Sequence, residues 1–230
     1  MKISYKTYPN DRLKQVDFHG TLVYPLYVQV TYDRKPIYFK SYYFELFSKP
    51  RYLLTVPGVA SKAPAMEQII EEENNLINFI IEKHRDDFSL EIFKTAYSYY
   101  SKDMCDVMEG GFVDYLHTFF WDEGNPTLGD VLLKGCSSVI AFDVVRDFKR
   151  IMSKEQYDKL VGNSLYYAPP YLPVYGFMAR QKRWPMLIIT MRELEQPETL
   201  KEFVGFIHQN YPQRPFEEIL EMVRNWTKYL

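Results

Sequence analysis

Leu26-Tyr27-Val28-Gln29-Val30-Thr31-Tyr32, then Asp33-Arg34-Lys35-Pro36, then Ile37-Tyr38-Phe39-Lys40-Ser41-Tyr42-Tyr43-Phe44, is the stretch that decides the fold class. In its first part the even positions Leu26, Val28 and Val30 are aliphatic, and the odd positions Tyr27, Gln29 and Thr31 are polar or amphipathic. A period of two marks a half-buried strand. The polar turn Asp33–Pro36 follows, and 37–44 is a second strand-like run rich in aromatic and β-branched residues. The stretch therefore predicts a β-hairpin. Because a lone hairpin is marginal in water, further strands or a packed helix must support it, and segments 3–8 and 13–19 are the candidate strands.

From residue 63 the period changes to 3.6. Met66, Ile69, Ile70, Ile77, Ile80 and Ile81 form a stripe with Glu71, Glu72 and Glu73 off it, which predicts a helix over 64–85 with the three glutamates solvated. Ser89 is a suitable N-cap for a second helix reaching Glu109, which Gly110-Gly111 ends, and 112–122 is a third amphipathic segment. Helices follow over 128–134, 138–152 and, capped by Ser153, 154–161. Residues 163–184 read as an irregular connector, 186–191 as a short buried strand, and 197–209 and 215–229 as closing helices with Pro197 and Pro215 in their first turns. The expected class is α+β: a basic β-sheet domain, 1–62, followed by a mainly helical domain, 63–230.

Charge is segregated along the chain. Residues 1–62 hold ten Lys or Arg against four Asp or Glu, 63–123 hold four against fourteen, and 124–230 hold fourteen against twelve, while the whole chain is only −2. Such segregation suggests separate surfaces for separate partners. No run of apolar residues reaches the 18 that a membrane span needs. The first residues, Met1-Lys2-Ile3-Ser4-Tyr5-Lys6, carry no apolar core of a secretion signal, and Cys105 and Cys136 have no partner motif. A cytoplasmic protein with free, buried thiols and no membrane partner is expected.

The hairpin is the leading candidate site. With Leu26, Val28 and Val30 inward, Tyr27, Gln29 and Thr31 face outward, joined by Tyr38, Lys40 and Tyr42 from the second strand and by Arg34 and Lys35 at the tip. Cations attract phosphates, and rings and amides contact bases or sugars. The same face also reads as an ordinary solvated strand in which tyrosine supplies only β-propensity. Arg180, Lys182 and Arg183 form a secondary basic patch beside Trp184. The Tyr/Pro segment 166–175 reads either as a docking surface for a protein partner, since tyrosine is favoured at interfaces, or as a rigid connector across the core.

Tyr24-Pro25-Leu26-Tyr27-Val28-Gln29-Val30-Thr31-Tyr32-Asp33-Arg34-Lys35-Pro36-Ile37-Tyr38-Phe39 resembles the N-terminal arm-type DNA-binding region of tyrosine recombinases, the phage-type integrases of mobile elements. Asp87-Phe88-Ser89-Leu90-Glu91-Ile92-Phe93 and Phe112-Val113-Asp114-Tyr115-Leu116 are similar in style to the linker and first core-binding helix of that family. The resemblance covers roughly residues 1–120 and implies DNA as partner, held by a small sheet. Its departures are equally specific. Three residues after His19, His84, His117 and His208 stand Leu22, Asp87, Phe120 and Tyr211, so the family's His-x-x-Arg box is missing. No strand-cleaving tyrosine is expected.

Other chemistry is not signalled. His84 and Asp87 lack a second pair of metal ligands, Gly135-Cys136-Ser137-Ser138 lacks the Gly-x-Ser-x-Gly frame, and Gly110-Gly111 does not open a phosphate loop. Cys105 reads as a core filler. No catalytic residue, metal or cofactor is expected. The sequence reading is thus a non-catalytic DNA-binding accessory or regulatory protein, in keeping with a mobile genetic element. The alternatives are an interaction subunit whose acidic helices, 63–123, bind a basic partner, and an RNA-binding protein.

Overall fold

In a computed structural model describing residues 3–52, 64–136, 138–183 and 186–227, the chain opens with five strands: β1 (Ile3–Pro9), β2 (Val16–Phe18), β3 (Thr21–Val23), β4 (Leu26–Tyr32) and β5 (Lys35–Lys40). They form two antiparallel sheets. One has the order β1-β4-β5, and the other is the short ribbon β2-β3. The fold class is α+β, as the change of period predicts. Leu26, Val28 and Val30 are fully buried, as the alternation requires. Each such side chain removed from water contributes about 1.5–3 kcal/mol.

Two expectations about this region are corrected. The second strand ends at Lys40, and residues 42–44 enter helix α1 (Tyr42–Phe47). Ser41 decides this: its Oγ accepts the Phe44 N–H at 3.1 Å and caps the helix, which outweighs the β-propensity of the aromatic run. Segment 13–19 supplies only β2, which pairs with β3 and not with the main sheet. A 3-10 turn follows at Pro50–Tyr52.

Helices α2 (Met66–Lys83) and α3 (Leu90–Ser101) complete the first of two compact units, residues 1–101; the second is 102–230. The division expected near residue 62 lies outside the described residues. Ser89 caps α3 as predicted, its Oγ accepting the Ile92 N–H at 3.1 Å. The helices cover the inner face of the sheet. Thr7 Oγ1 donates to Asn74 Oδ1 at 2.8 Å, Tyr32 meets Phe88 with ring centroids 5.2 Å apart, and Phe39 meets Tyr97 at 4.6 Å.

The solvated glutamate run is corrected at one position, since Glu73 is fully buried. Its spacing explains this: Ile69, Glu73, Leu76 and Ile80 succeed one another by three or four residues, so Glu73 belongs to the apolar stripe. Its carboxylate accepts from Ser41 Oγ, from Tyr97 Oη at 2.5 Å and from the Tyr43 N–H. Burial raises its pKa to about 7, and those hydrogen bonds offset part of the rise.

The second unit holds α4 (Met104–Asp122), α5 (Pro126–Gly135), α6 (Ala141–Ile151), α7 (Lys154–Tyr167), α8 (Tyr171–Gln181), α9 (Met191–Leu194), α10 (Pro197–Asn210) and α11 (Phe216–Thr227). The helix expected to run from 89 to 109 is broken at Asp103, whose side chain accepts from the N–H groups of Cys105, Asp106 and Ile189. Gly110-Gly111 does not end a helix but lies inside α4. At Gly111 an added Cβ would stand 2.9 Å from both Pro169 Cγ and Trp226 Cη2, so the glycine marks close packing and not a terminus.

The connector 163–184 is likewise corrected. Helix α7 continues to Tyr167, and α8 begins at Tyr171, with Pro173 in the first turn where no helical N–H is needed. Tyr171, Leu172, Val174, Tyr175, Phe177 and Met178 are all buried, which makes α8 a central element and not a linker. The strand expected over 186–191 reduces to a single bridge, Thr190 with Asp103, because its neighbour is a helix cap and offers no further ladder. Glu109 is the buried carboxylate of this unit. Its Oε1 accepts from Tyr171 Oη at 2.9 Å and from the first N–H of α6, Ala141, at 3.0 Å.

Candidate nucleic-acid interface

The antiparallel register of β1, β4 and β5 fixes which side chains share the outer face. Tyr27 pairs with Tyr8 and Lys40, Gln29 with Lys6 and Tyr38, and Thr31 with Ser4 and Pro36. Paired residues project on the same side of a sheet, so these nine form a grid three strands wide and three residues long. At roughly 4.8 Å between strands and 7 Å between alternate residues, the platform measures about 10 by 14 Å. It holds two lysines, three tyrosines and one amide, and no carboxylate. Gln29 sits at its centre, its Nε2 donating to Thr31 Oγ1 at 3.3 Å. Lys6 Nζ lies 5.1 Å from the Tyr8 ring centroid. Tyr38 is 59% exposed.

Tyr27, Gln29, Thr31, Tyr38 and Lys40 thus share one face, as the alternation predicts. The other hairpin residues are placed differently. Lys35 pairs with Tyr32 and therefore belongs to the opposite face at the tip. Arg34 is exposed in the turn. Tyr42 is not on a strand at all: it opens α1, and its N–H donates to Tyr97 Oη at 3.1 Å. Lys40 Nζ meets Glu45 at 3.3 Å, an exposed pair that is screened by solvent and readily exchanged for another anion. Ser4, Lys6 and Tyr8 are missing from the sequence reading. Their own alternation was legible, but the pairing of β1 with β4, across more than a dozen intervening residues, was not.

The secondary basic patch in the second unit is largely engaged. The guanidinium of Arg180 lies 4.7 Å over the Phe206 ring and donates to Gln209 and Asn210, each at 3.0 Å. Lys182 is ion-paired with Glu193. Both Lys182 and Glu193 line a cleft of about 370 Å³ floored by Phe177 and Ile189. Arg183 is exposed, and Trp184 lies outside the described residues. In segment 166–175 only Tyr166 and Tyr167 are exposed, and Arg214 stacks 4.3 Å from the Tyr166 ring.

Cys105 and Cys136 are buried and not joined in a disulfide, and Cys105 Sγ lies 3.8 Å from Met178 Sδ in the core. Among the described residues no group of three His, Cys, Asp or Glu could hold a metal ion, and no helix is long and apolar enough to cross a membrane. Compared with known proteins, the chain matches no family model, no curated protein and no solved structure.

Proposed function

We propose that the outer face of β1-β4-β5 binds duplex DNA. The protein then acts in the cytoplasm as a non-catalytic accessory or regulatory factor of a mobile genetic element. The observation that carries this reading is the nine-residue grid, in which Lys6, Gln29 and Tyr38 cross the sheet as a cation, an amide and an aromatic ring with no carboxylate among them. A platform about 10 Å wide is compatible with a major groove about 12 Å wide. Lys6 and Lys40 then face phosphates, and Gln29 is set to meet base edges. The resemblance of the hairpin to recombinase arm regions favours DNA over RNA, and the missing His-x-x-Arg box argues against strand cleavage.

The test is a duplex titration at 50 and 200 mM salt. Binding should weaken steeply with salt, and Lys6→Ala should lower the slope of log K against log salt by about 0.9, the share of one phosphate. Tyr38→Ala should weaken binding at both salts. Lys35→Ala, on the other face, should change affinity less than Lys6→Ala. Binding that is absent, or indifferent to Lys6 and Tyr38, overturns the reading. Single-stranded RNA bound as tightly as duplex DNA overturns the choice of DNA.

A further inference from the structure

Gln29 stands at the centre of the outer sheet face, between Lys6 on β1 and Tyr38 on β5. A glutamine amide carries two N–H donors and a carbonyl acceptor. One donor is already committed, since Nε2 donates to Thr31 Oγ1 at 3.3 Å. Thr31 lies two residues further along β4, so the two side chains share a face and the bond runs along the strand. The other N–H and Oε1 of Gln29 have no partner among the described residues. The centre of the platform therefore offers one donor beside one acceptor.

The neighbours leave that pair uncovered. Lys6 is drawn along β1 to the Tyr8 ring, with Nζ 5.1 Å from its centroid, and none of the nine residues of the face is a carboxylate that could take the N–H. In the major groove adenine presents an acceptor, N7, next to a donor, the N6 amino group. Guanine presents two acceptors, N7 and O6, while thymine shows one acceptor and cytosine one donor. An amide with both N–H groups available can meet either purine at two points. With one N–H held by Thr31 it meets adenine at two points and guanine at one.

We propose that Gln29 reads adenine in the major groove, its Oε1 accepting from N6 and its Nε2 donating to N7, and that Thr31 is the positioning residue that withholds the second donor and so rejects guanine. The inference rests on the reading of this face as a DNA surface and goes beyond it by naming the base. The bond to Thr31 also holds the amide in one orientation before DNA arrives, so less side-chain freedom is lost on binding.

The test is selection of bound duplexes from a randomised pool by the full chain, followed by titration of the selected duplex and of the same duplex with its A·T pair changed to G·C. The wild type should fix one A·T pair, and the change to G·C should weaken binding about five- to hundredfold. Gln29→Ala should remove the preference while keeping the salt dependence that Lys6 and Lys40 supply. Thr31→Val keeps the β-branched shape but removes the acceptor, so it should narrow the gap by strengthening binding to the G·C duplex. Thr31→Ser restores the acceptor and should keep the gap. Selected duplexes with no fixed A·T pair, a preference that survives Gln29→Ala, a gap that Thr31→Val leaves unchanged or one that Thr31→Ser loses would each overturn the proposal while the DNA reading stands. Absence of salt-dependent binding to any duplex would overturn the DNA reading itself, and this inference with it.

Discussion

Tyr97 Oη donates to Glu73 Oε1 at 2.5 Å while its oxygen accepts the Tyr42 N–H at 3.1 Å. One hydroxyl thereby ties α3, α2 and the start of α1 together around a buried carboxylate. The second unit repeats the device: Tyr171 Oη donates to Glu109 at 2.9 Å and accepts the Phe142 N–H at 3.3 Å, while Glu109 takes the Ala141 N–H. In both units a buried glutamate and tyrosine satisfy the first N–H groups of a helix, where orphan donors and the positive end of the helix dipole favour an acceptor. Burial, the coulombic effect of Glu73 and the hydrogen bond to it hold the Tyr97 hydroxyl well above its ordinary pKa, so it stays a donor.

The Glu73 site makes the stability of the first unit depend on pH. Its pKa is about 7 in the folded chain against an ordinary 4.5, so the folded state holds the proton more tightly. The stabilisation is complete below about 4.5 and is lost as pH rises through 7. Between pH 5.5 and 8 this site alone should lower the unfolding free energy by about 2 kcal/mol. Glu73→Gln should flatten that part of the profile, although its amide hydrogens also clash with donors and lower the stability at every pH. Urea midpoints at the two pH values check this. Identical pH dependence in both proteins refutes it.

Adjacent glycines in α4 should respond oppositely to alanine. At Gly110 an added Cβ meets nothing within 4 Å, so Gly110→Ala should stabilise the helix by about 0.5–1 kcal/mol. At Gly111 it meets Pro169 and Trp226 at 2.9 Å, and Gly111→Ala should cost roughly 1–3 kcal/mol through overpacking. Thermal unfolding of the two variants side by side decides the matter, and a shift of the same sign in both would contradict the packing described.

The hairpin turn is built on two non-glycine residues with positive φ, Asp33 at 47° and Arg34 at 64°. Two-residue turns of this kind favour glycine at the second position, because a side chain there crowds the backbone. Arg34→Gly should therefore raise the stability of the first unit by a few tenths to about 1 kcal/mol, the relief of strain being partly offset by the freer unfolded chain. A rise in melting temperature together with weakened low-salt DNA binding would show that Arg34 is kept for its charge. A fall in melting temperature would show that its side chain supports the turn.

Local patterns were largely legible because their causes are local. Alternation placed Leu26, Val28 and Val30 in the core, and Ser89 and Ser153 were recognisable as caps because a cap needs only its own side chain and an N–H three residues on. The candidate face was half legible. Tyr27, Gln29, Thr31, Tyr38 and Lys40 followed from the period of β4 and β5, whereas Lys6 and Tyr8 depended on which strand β1 would join.

The sequence by itself determined the α+β class, the hairpin and its buried side, the segregation of charge and most helix starts. Only the tertiary structure decided that Tyr42 opens a helix, that Gly111 is an internal close contact, that the proline-rich 169–173 leads into a buried helix, and that Glu73 belongs to the core. Local features follow from steric and hydrogen-bonding preferences a few residues long, which the sequence displays directly. The others depend on partners far along the chain: Tyr97 for Tyr42 and Glu73, Pro169 and Trp226 for Gly111, and Tyr171 for Glu109. Those partners exist as neighbours only once the chain has folded.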